Sequence, residues 1–203
     1  MIKPYTKPVI TEPYFVIPSW LDENVPYKDY VILTAESSRE DVELFLIHLF
    51  GYNQIDVTQS LEASCHDLFK EDGVVIQGGV AFFNNESQFI LPSCCCGLED
   101  WYEVLDAVKN RTSSWLGHDP SPEITYHDNL VRVWSDNLEL LSNSDEASLY
   151  YIEFEYEELL DCLELTRSDL EKFIKGPLYY WMNSKNGDIA DTMKVKMEQW
   201  FLK

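Results

Sequence analysis

An α+β fold is predicted, as one domain over residues 1–203 with a largely antiparallel β-sheet, flanking helices and a C-terminal helical layer. Three observations carry it. Val74–Phe83 and Gln88–Leu91 are β-rich runs joined by Asn84, Asn85, Glu86 and Ser87, a turn composition. Ile124–Tyr126 and Leu130–Trp134 form a second hairpin around His127, Asp128 and Asn129. The last fifty or so residues repeat apolar positions at helical spacing, which divides the chain into a sheet-containing core, 1–154, and a helical part, 155–203.

Taken in order, residues 1–27 are punctuated by proline and read as extended, with Tyr14–Ile17 a candidate strand before Pro18. Tyr30–Thr34 is an apolar run of strand length. Ser37, with Glu40 three residues on, is a capping-box pattern opening a helix in which Val42, Phe45, Leu46 and Leu49 share a face, and Gly51 marks its end. Leu61, Cys65, Leu68 and Phe69 have helical spacing. Gly78 and Gly79 inside a strand pattern signal a bulge or a close backbone approach, not a phosphate loop, which would need a longer glycine pattern opening a helix. Leu98, Trp101, Leu105 and Val108 form a helical stripe, with Glu99 and Asp100 in the first turn where the helix dipole favours acids. Leu149–Phe154 is a further strand, reached through a polar linker. Tyr156, Leu159, Leu160 and Leu163 then give one apolar face. Ser168 and Glu171 suggest a second capping box before a helix kinked or restarted at Gly176 and Pro177, and Asp188 is a candidate cap for a final helix burying Ile189, Met193, Met197, Trp200 and Phe201.

Composition bounds the function. Hydrophobic residues make up 45% and aromatics 14% of the chain, enough for a folded core. Thirty-six acids against fifteen bases give a formal net charge of −21. That field repels phosphate backbones and anionic membrane surfaces and attracts basic partners, which argues against nucleic acid as a direct ligand. The sequence contains no apolar run long enough to span a bilayer and no signal-peptide pattern. Five cysteines, Cys65, Cys94, Cys95, Cys96 and Cys162, are an odd number, and adjacent cysteines make no ordinary unstrained bridge, so a reducing cytoplasm is the expected compartment.

Chemistry concentrates between Leu91 and Asp136. Cys94, Cys95 and Cys96 sit at a strand end just before a helix N-terminus, where a thiolate can be stabilised, with His118 or His127 as a base in principle; buried, they would serve only as small apolar side chains. His118 and Asp119, in the turn Gly117-His118-Asp119-Pro120, could be metal ligands with a cysteine or with His127 and Asp128. The paired spacing usual for zinc is absent, however, and Asp before Pro is an ordinary turn composition, so no metal and no cofactor is expected. Trp101, Trp115 and Trp134 read as packing aromatics. No serine-nucleophile, Walker or His-Glu-x-x-His motif is present. Between Asp136 and Glu171 twelve acids face a single base, Arg167. Like charges at helical neighbours, such as Glu157 or Glu158 with Asp161, weaken an isolated helix, which marks this surface as a docking candidate.

The segments CCCGLEDW, WLGHDPSPEI, VRVWSD and LEKFIKGPLYYWM resemble an uncharacterised family of bacterial cytosolic proteins. In type the chain is similar to immunity proteins of polymorphic toxin systems, which are small acidic α+β proteins that bind and block a cognate toxin. The resemblance implies a binding role and transfers no catalytic residue. The expected function is a non-catalytic acidic protein-binding module, an immunity protein blocking a basic toxin partner, with Glu155, Glu157, Glu158, Asp161 and Glu164 at the docking face. The alternative is a thiol- or metal-dependent enzyme centred on Cys94–Cys96 and His118, with Cys95, His118 and Asp119 as its catalytic residues.

Overall fold

The N-terminal strand runs straight through a proline. In the computed structural model, which describes residues 3–21, 25–138 and 149–202, β1 is Tyr5–Thr11, central in a four-stranded antiparallel sheet of order β2-β1-β3-β4. β2 is Tyr30–Ile32, β3 Gly78–Asn85 and β4 Gln88–Ile90. A residue's N–H and C=O point to the same side of a strand. Pro8 accepts the Leu33 N–H through its carbonyl, so its missing donor falls beyond the end of β2, outside the β1–β3 ladder. Tyr14–Ile17, expected as a strand, is irregular and partly exposed instead. Gly78 is a close approach, as the sequence suggested: a Cβ there would lie 2.2 Å from the Val9 carbonyl oxygen.

The second hairpin joins another sheet. β5 (Glu123–His127), β6 (Leu130–Trp134) and β7 (Tyr151–Glu155) form a three-stranded antiparallel sheet of order β5-β6-β7. The strands thus divide into two antiparallel sheets rather than one. β4, at the edge of the first sheet, is only three residues long and is followed closely by Pro92, which blunts that edge. The two sheets meet through side chains, Phe82 against the edge of Phe154 with centroids 6.2 Å apart.

Helix boundaries shift from the sequence reading for local reasons. α1 (Arg39–Tyr52) is capped by Ser38, whose Oγ accepts the Asp41 N–H while Asp41 Oδ2 accepts the Ser38 N–H at 2.8 Å. Ser37 instead donates its hydroxyl to the Ile32 carbonyl. Gly51 lies inside the helix, where a Cβ would fall 2.3 Å from Phe15 Cβ, so its absence admits the Phe15 ring. Val42–Phe50 are all buried, so α1 is enclosed on every side and not amphipathic. α2 is Leu61–Leu68. A 3₁₀ turn at Leu98–Asp100 leads into α3, Tyr102–Lys109, with Leu98, Trp101, Leu105 and Val108 buried as expected.

α4 (Tyr156–Phe173) is continuous through Ser168, so Ser168 and Glu171 cap nothing, and Glu171 pairs with Lys175 at 2.5 Å. At Gly176-Pro177 the helix widens into a π-helical segment, Ile174–Leu178, and continues as α5, Tyr179–Asn183. The extra residue per turn absorbs the proline without ending the helix. Asn186, not Asp188, caps α6 (Gly187–Phe201), its Oδ1 accepting the Ile189 N–H. One hydrophobic core includes β-strand, α1 and C-terminal helix residues, so the sheet core and helical part share it. α4 is fastened to β1 by the Thr6–Thr166 hydroxyl bond of 2.7 Å and the Lys7–Asp169 ion pair of 2.6 Å. Trp101 Nε1 donates to the Phe201 carbonyl at 2.7 Å, tying the start of α3 to the end of α6. Among the described residues no helix is long and apolar enough to cross a membrane.

Candidate functional sites

Two segments twenty-four residues apart build the first site. Ser93 N–H donates to the Leu116 carbonyl, the Ser93 hydroxyl donates to the His118 carbonyl at 3.0 Å, and Cys94 pairs with His118 as an isolated antiparallel bridge. Gly117 is indispensable to that approach, having φ +100° and room for no Cβ, which would lie 2.7 Å from the Cys94 carbonyl oxygen. The Cys96 N–H returns to the Ser93 carbonyl, so Cys94 and Cys95 occupy the two central positions of a turn, with Cys95 left-handed at φ +70°. The Cys96 carbonyl accepts the N–H of Gly78, anchoring the turn on β3.

The side chains converge accordingly. Cys94 Sγ lies 2.9 Å from His118 Nδ1 and donates to the His118 carbonyl oxygen at 2.7 Å; Cys95 Sγ lies 3.8 Å from Nε2. The two sulfurs and a ring nitrogen fall within 4.8 Å of one another, and Cys95 and His118 are exposed. Cys96 and Asp119 are not members of the cluster. Nor do His127 and Asp128 join it: they belong to the β5–β6 hairpin, where His127 pairs with Leu130. Asp119 instead borders a cleft of about 460 Å³ on the side of the first sheet, where Tyr14 and Tyr27 stack 4.3 Å apart. No spacing signal announced that cleft, because Tyr14 reads as a strand residue.

The electrostatics of Cys65, Cys95 and Cys96 favour thiol over thiolate. The hydrogen bond that the Cys95 thiol makes to Cys94 raises the Cys95 pKa, with partial desolvation adding to it. Burial pushes Cys96 up to about 11, and buried Cys65 up to about 12. Among the described residues no hydrogen bond joins the Asp119 carboxylate to the His118 ring, whose nitrogens face Cys94 and Cys95 instead.

The second site is the exposed side of α4. Glu155 ends β7 and accepts from Asn129 Nδ2 at 2.8 Å, Glu158 is paired with Lys3, and Glu164 lies 3.4 Å from Lys109. Glu157 and Asp161 are exposed, and neither has an ion-pair partner among the described residues. They stand one turn apart, and Leu165, 60% exposed, stands one turn further along the same line. The five acids are therefore brought to one region but are not equivalent. Glu139, Asp145 and Glu146 of the same acidic stretch lie outside the described residues.

Two buried polar side chains of α1 escaped the sequence reading. Glu43 is held by Arg39 at 2.7 Å and accepts the Trp181 indole N–H at 3.3 Å. His48 is fully buried between Phe15 and Tyr52 with neither ring nitrogen partnered. The available signal was the unbroken apolar context of α1, which implied burial of whatever polar residue it carried.

No protein-family model matches the chain, and no curated protein or solved structure matches it either.

Proposed function

We propose that this chain is a non-catalytic, cytoplasmic binding module for a basic protein, acting as an immunity protein that blocks a basic toxin domain. The observation carrying the proposal is the line Glu157, Asp161, Leu165 on α4: two acids with no ion-pair partner among the described residues, beside an exposed leucine, in a chain of net charge −21. Acids at that spacing repel and weaken the helix, a cost that a basic partner would reverse on docking. The exposed leucine supplies the apolar contact that affinity requires, while the charge supplies encounter rate. Free cysteines support the cytoplasmic part of the reading.

The test begins with a basic partner recovered by pulldown and reconstituted from purified components. Glu157→Gln with Asp161→Asn should slow association several-fold at low salt, and the difference should vanish as salt screens the charges, over about 8 Å at physiological ionic strength. Glu171→Gln, whose carboxylate is already paired with Lys175, serves as the control. Unchanged association and salt dependence in a folded double variant would place docking elsewhere. The competing thiol-enzyme reading has the Cys94–His118 contact in its favour, but the raised pKa values of Cys95 and Cys96 oppose it.

A further inference from the structure

We infer that Cys94, Cys95 and His118 form a binding site for one Zn²⁺ ion, an inference independent of the docking proposal. Spacing along the chain argued against zinc because the donors are not arranged as two regular pairs. The fold supplies the pairing instead: a turn presents two adjacent sulfurs, and a neighbouring strand-like segment presents an imidazole to both. Tetrahedral zinc with Zn–S of about 2.3 Å and Zn–N of about 2.0 Å places a sulfur and a nitrogen donor about 3.5 Å apart and two sulfurs about 3.8 Å apart. One imidazole gives a single nitrogen to one ion: the 3.8 Å separation is from Cys95 Sγ to Nε2, whereas the 2.9 Å contact of Cys94 Sγ is to the opposite nitrogen, Nδ1; the two sulfurs and one ring nitrogen nonetheless lie within 4.8 Å of one another, so side-chain rotation can bring three donors to one ion. Two thiolates and an imidazole are a donor set that suits zinc and is poor for Mg²⁺ or Ca²⁺, which take oxygen ligands. The backbone is fixed beforehand by the Ser93–Leu116, Ser93–His118 and Gly78–Cys96 bonds, which lowers the ordering cost of binding. With three protein donors and an exposed rim at Cys95 and His118, the fourth position faces solvent and would accept water or a donor from a partner.

The experiment uses the full chain, reduced and stripped of metal, with Zn²⁺ alone as ligand and Co²⁺ as spectroscopic probe. Expected are one ion per chain, a thiolate-to-cobalt charge-transfer band, and a rise in melting temperature with added zinc. Cys95→Ser and His118→Ala should each weaken binding by more than the roughly ten- to hundredfold that losing an outer-shell partner costs. Both should remove the zinc-dependent stabilisation while leaving the metal-free melting temperature near that of the parent, since both side chains are exposed. Cys96→Ser should bind as the parent does. Zinc binding that survives His118→Ala, that is displaced by excess Mg²⁺ as expected of surface carboxylates, or that is absent from the reduced parent would overturn the assignment. So would binding of Cu⁺ with exclusion of Zn²⁺.

Discussion

His48 gives a quantitative test of the core. Burial alone pushes its pKa from 6.5 down to about 4; no charged neighbour contributes, and the rings against it are those of Phe15 and Tyr52. Because the folded pKa lies below the unfolded one, the unfolded chain binds a proton that the folded chain refuses. Stability is therefore intact above pH 6.5 and declines as pH falls toward 4. At about 1.4 kcal/mol per pKa unit the full loss is about 3 kcal/mol, of which about 2 kcal/mol has accrued by pH 5. The perturbation is His48→Leu, which removes the titration and the two unpartnered ring nitrogens together. Urea unfolding of both proteins at pH 5 and pH 8 gives four stabilities. Carboxylates whose pKa is lowered, such as Glu171 held by Lys175, and relief of the general negative repulsion act equally on both proteins and cancel in the comparison. The parent should lose about 2 kcal/mol more than the variant between pH 8 and pH 5. Losses equal to within about 0.5 kcal/mol would show that the imidazole is solvated or partnered in the folded protein, and the argument from burial would fail.

Two further outcomes follow from buried contacts. Thr166→Val should cost about 1–3 kcal/mol in denaturant unfolding because it strands the buried Thr6 hydroxyl, and Thr6→Val added to it should recover most of that loss; a double variant no better than the single would show that the hydroxyl pair is not the cause. Cys65, fully buried in α2 with its pKa pushed up to about 12, should resist a small thiol reagent at pH 8 until the chain is unfolded, and rapid labelling in the native state would contradict that environment.

What the sequence disclosed follows how local each interaction is. The hairpins were legible because both strands and their turn lie within about a dozen residues, so alternation and turn composition appear together. The stripes of α3, α4 and α6 were legible for the same reason, since helical neighbours are three and four positions apart. β1 was missed because its proline, Pro8, is tolerated only through the offset of β2, a fact about pairing partners some twenty residues downstream. Division into two sheets depends on which strands pair, which no single segment records. The Cys94–Cys95–His118 cluster was hidden in the same way. Its residue types stood out, but the spacing that matters runs through space across a bridge between two loops, and Gly117 becomes meaningful only once the Cys94 carbonyl lies against it.

Charge was legible in amount but not in arrangement, and the arrangement bears directly on docking. Lys3, Lys7, Lys28, Arg39, Lys70, Lys109, Arg132 and Lys175 each hold a carboxylate of this chain. At least eight of fifteen bases are therefore already committed, and several of them fasten one element to another: Lys7 joins β1 to α4, and Arg132 joins β6 to β7. Exposed pairs of this kind add little stability individually, yet each removes a cation from the surface field without removing the net excess of acids. A partner approaching α4 thus meets an uneven surface. Glu158 and Glu164 are screened by Lys3 and Lys109, whereas Glu157 and Asp161, beside Leu165, have no ion-pair partner among the described residues. A basic group that displaced Lys3 from Glu158 would lose part of its gain in breaking that pair, while one placed between Glu157 and Asp161 would break no ion pair among the described residues. Docking driven by charge should accordingly be more sensitive to Glu157 and Asp161 than to Glu158 and Glu164, a ranking that a uniform acidic coat evolved for solubility alone would not produce.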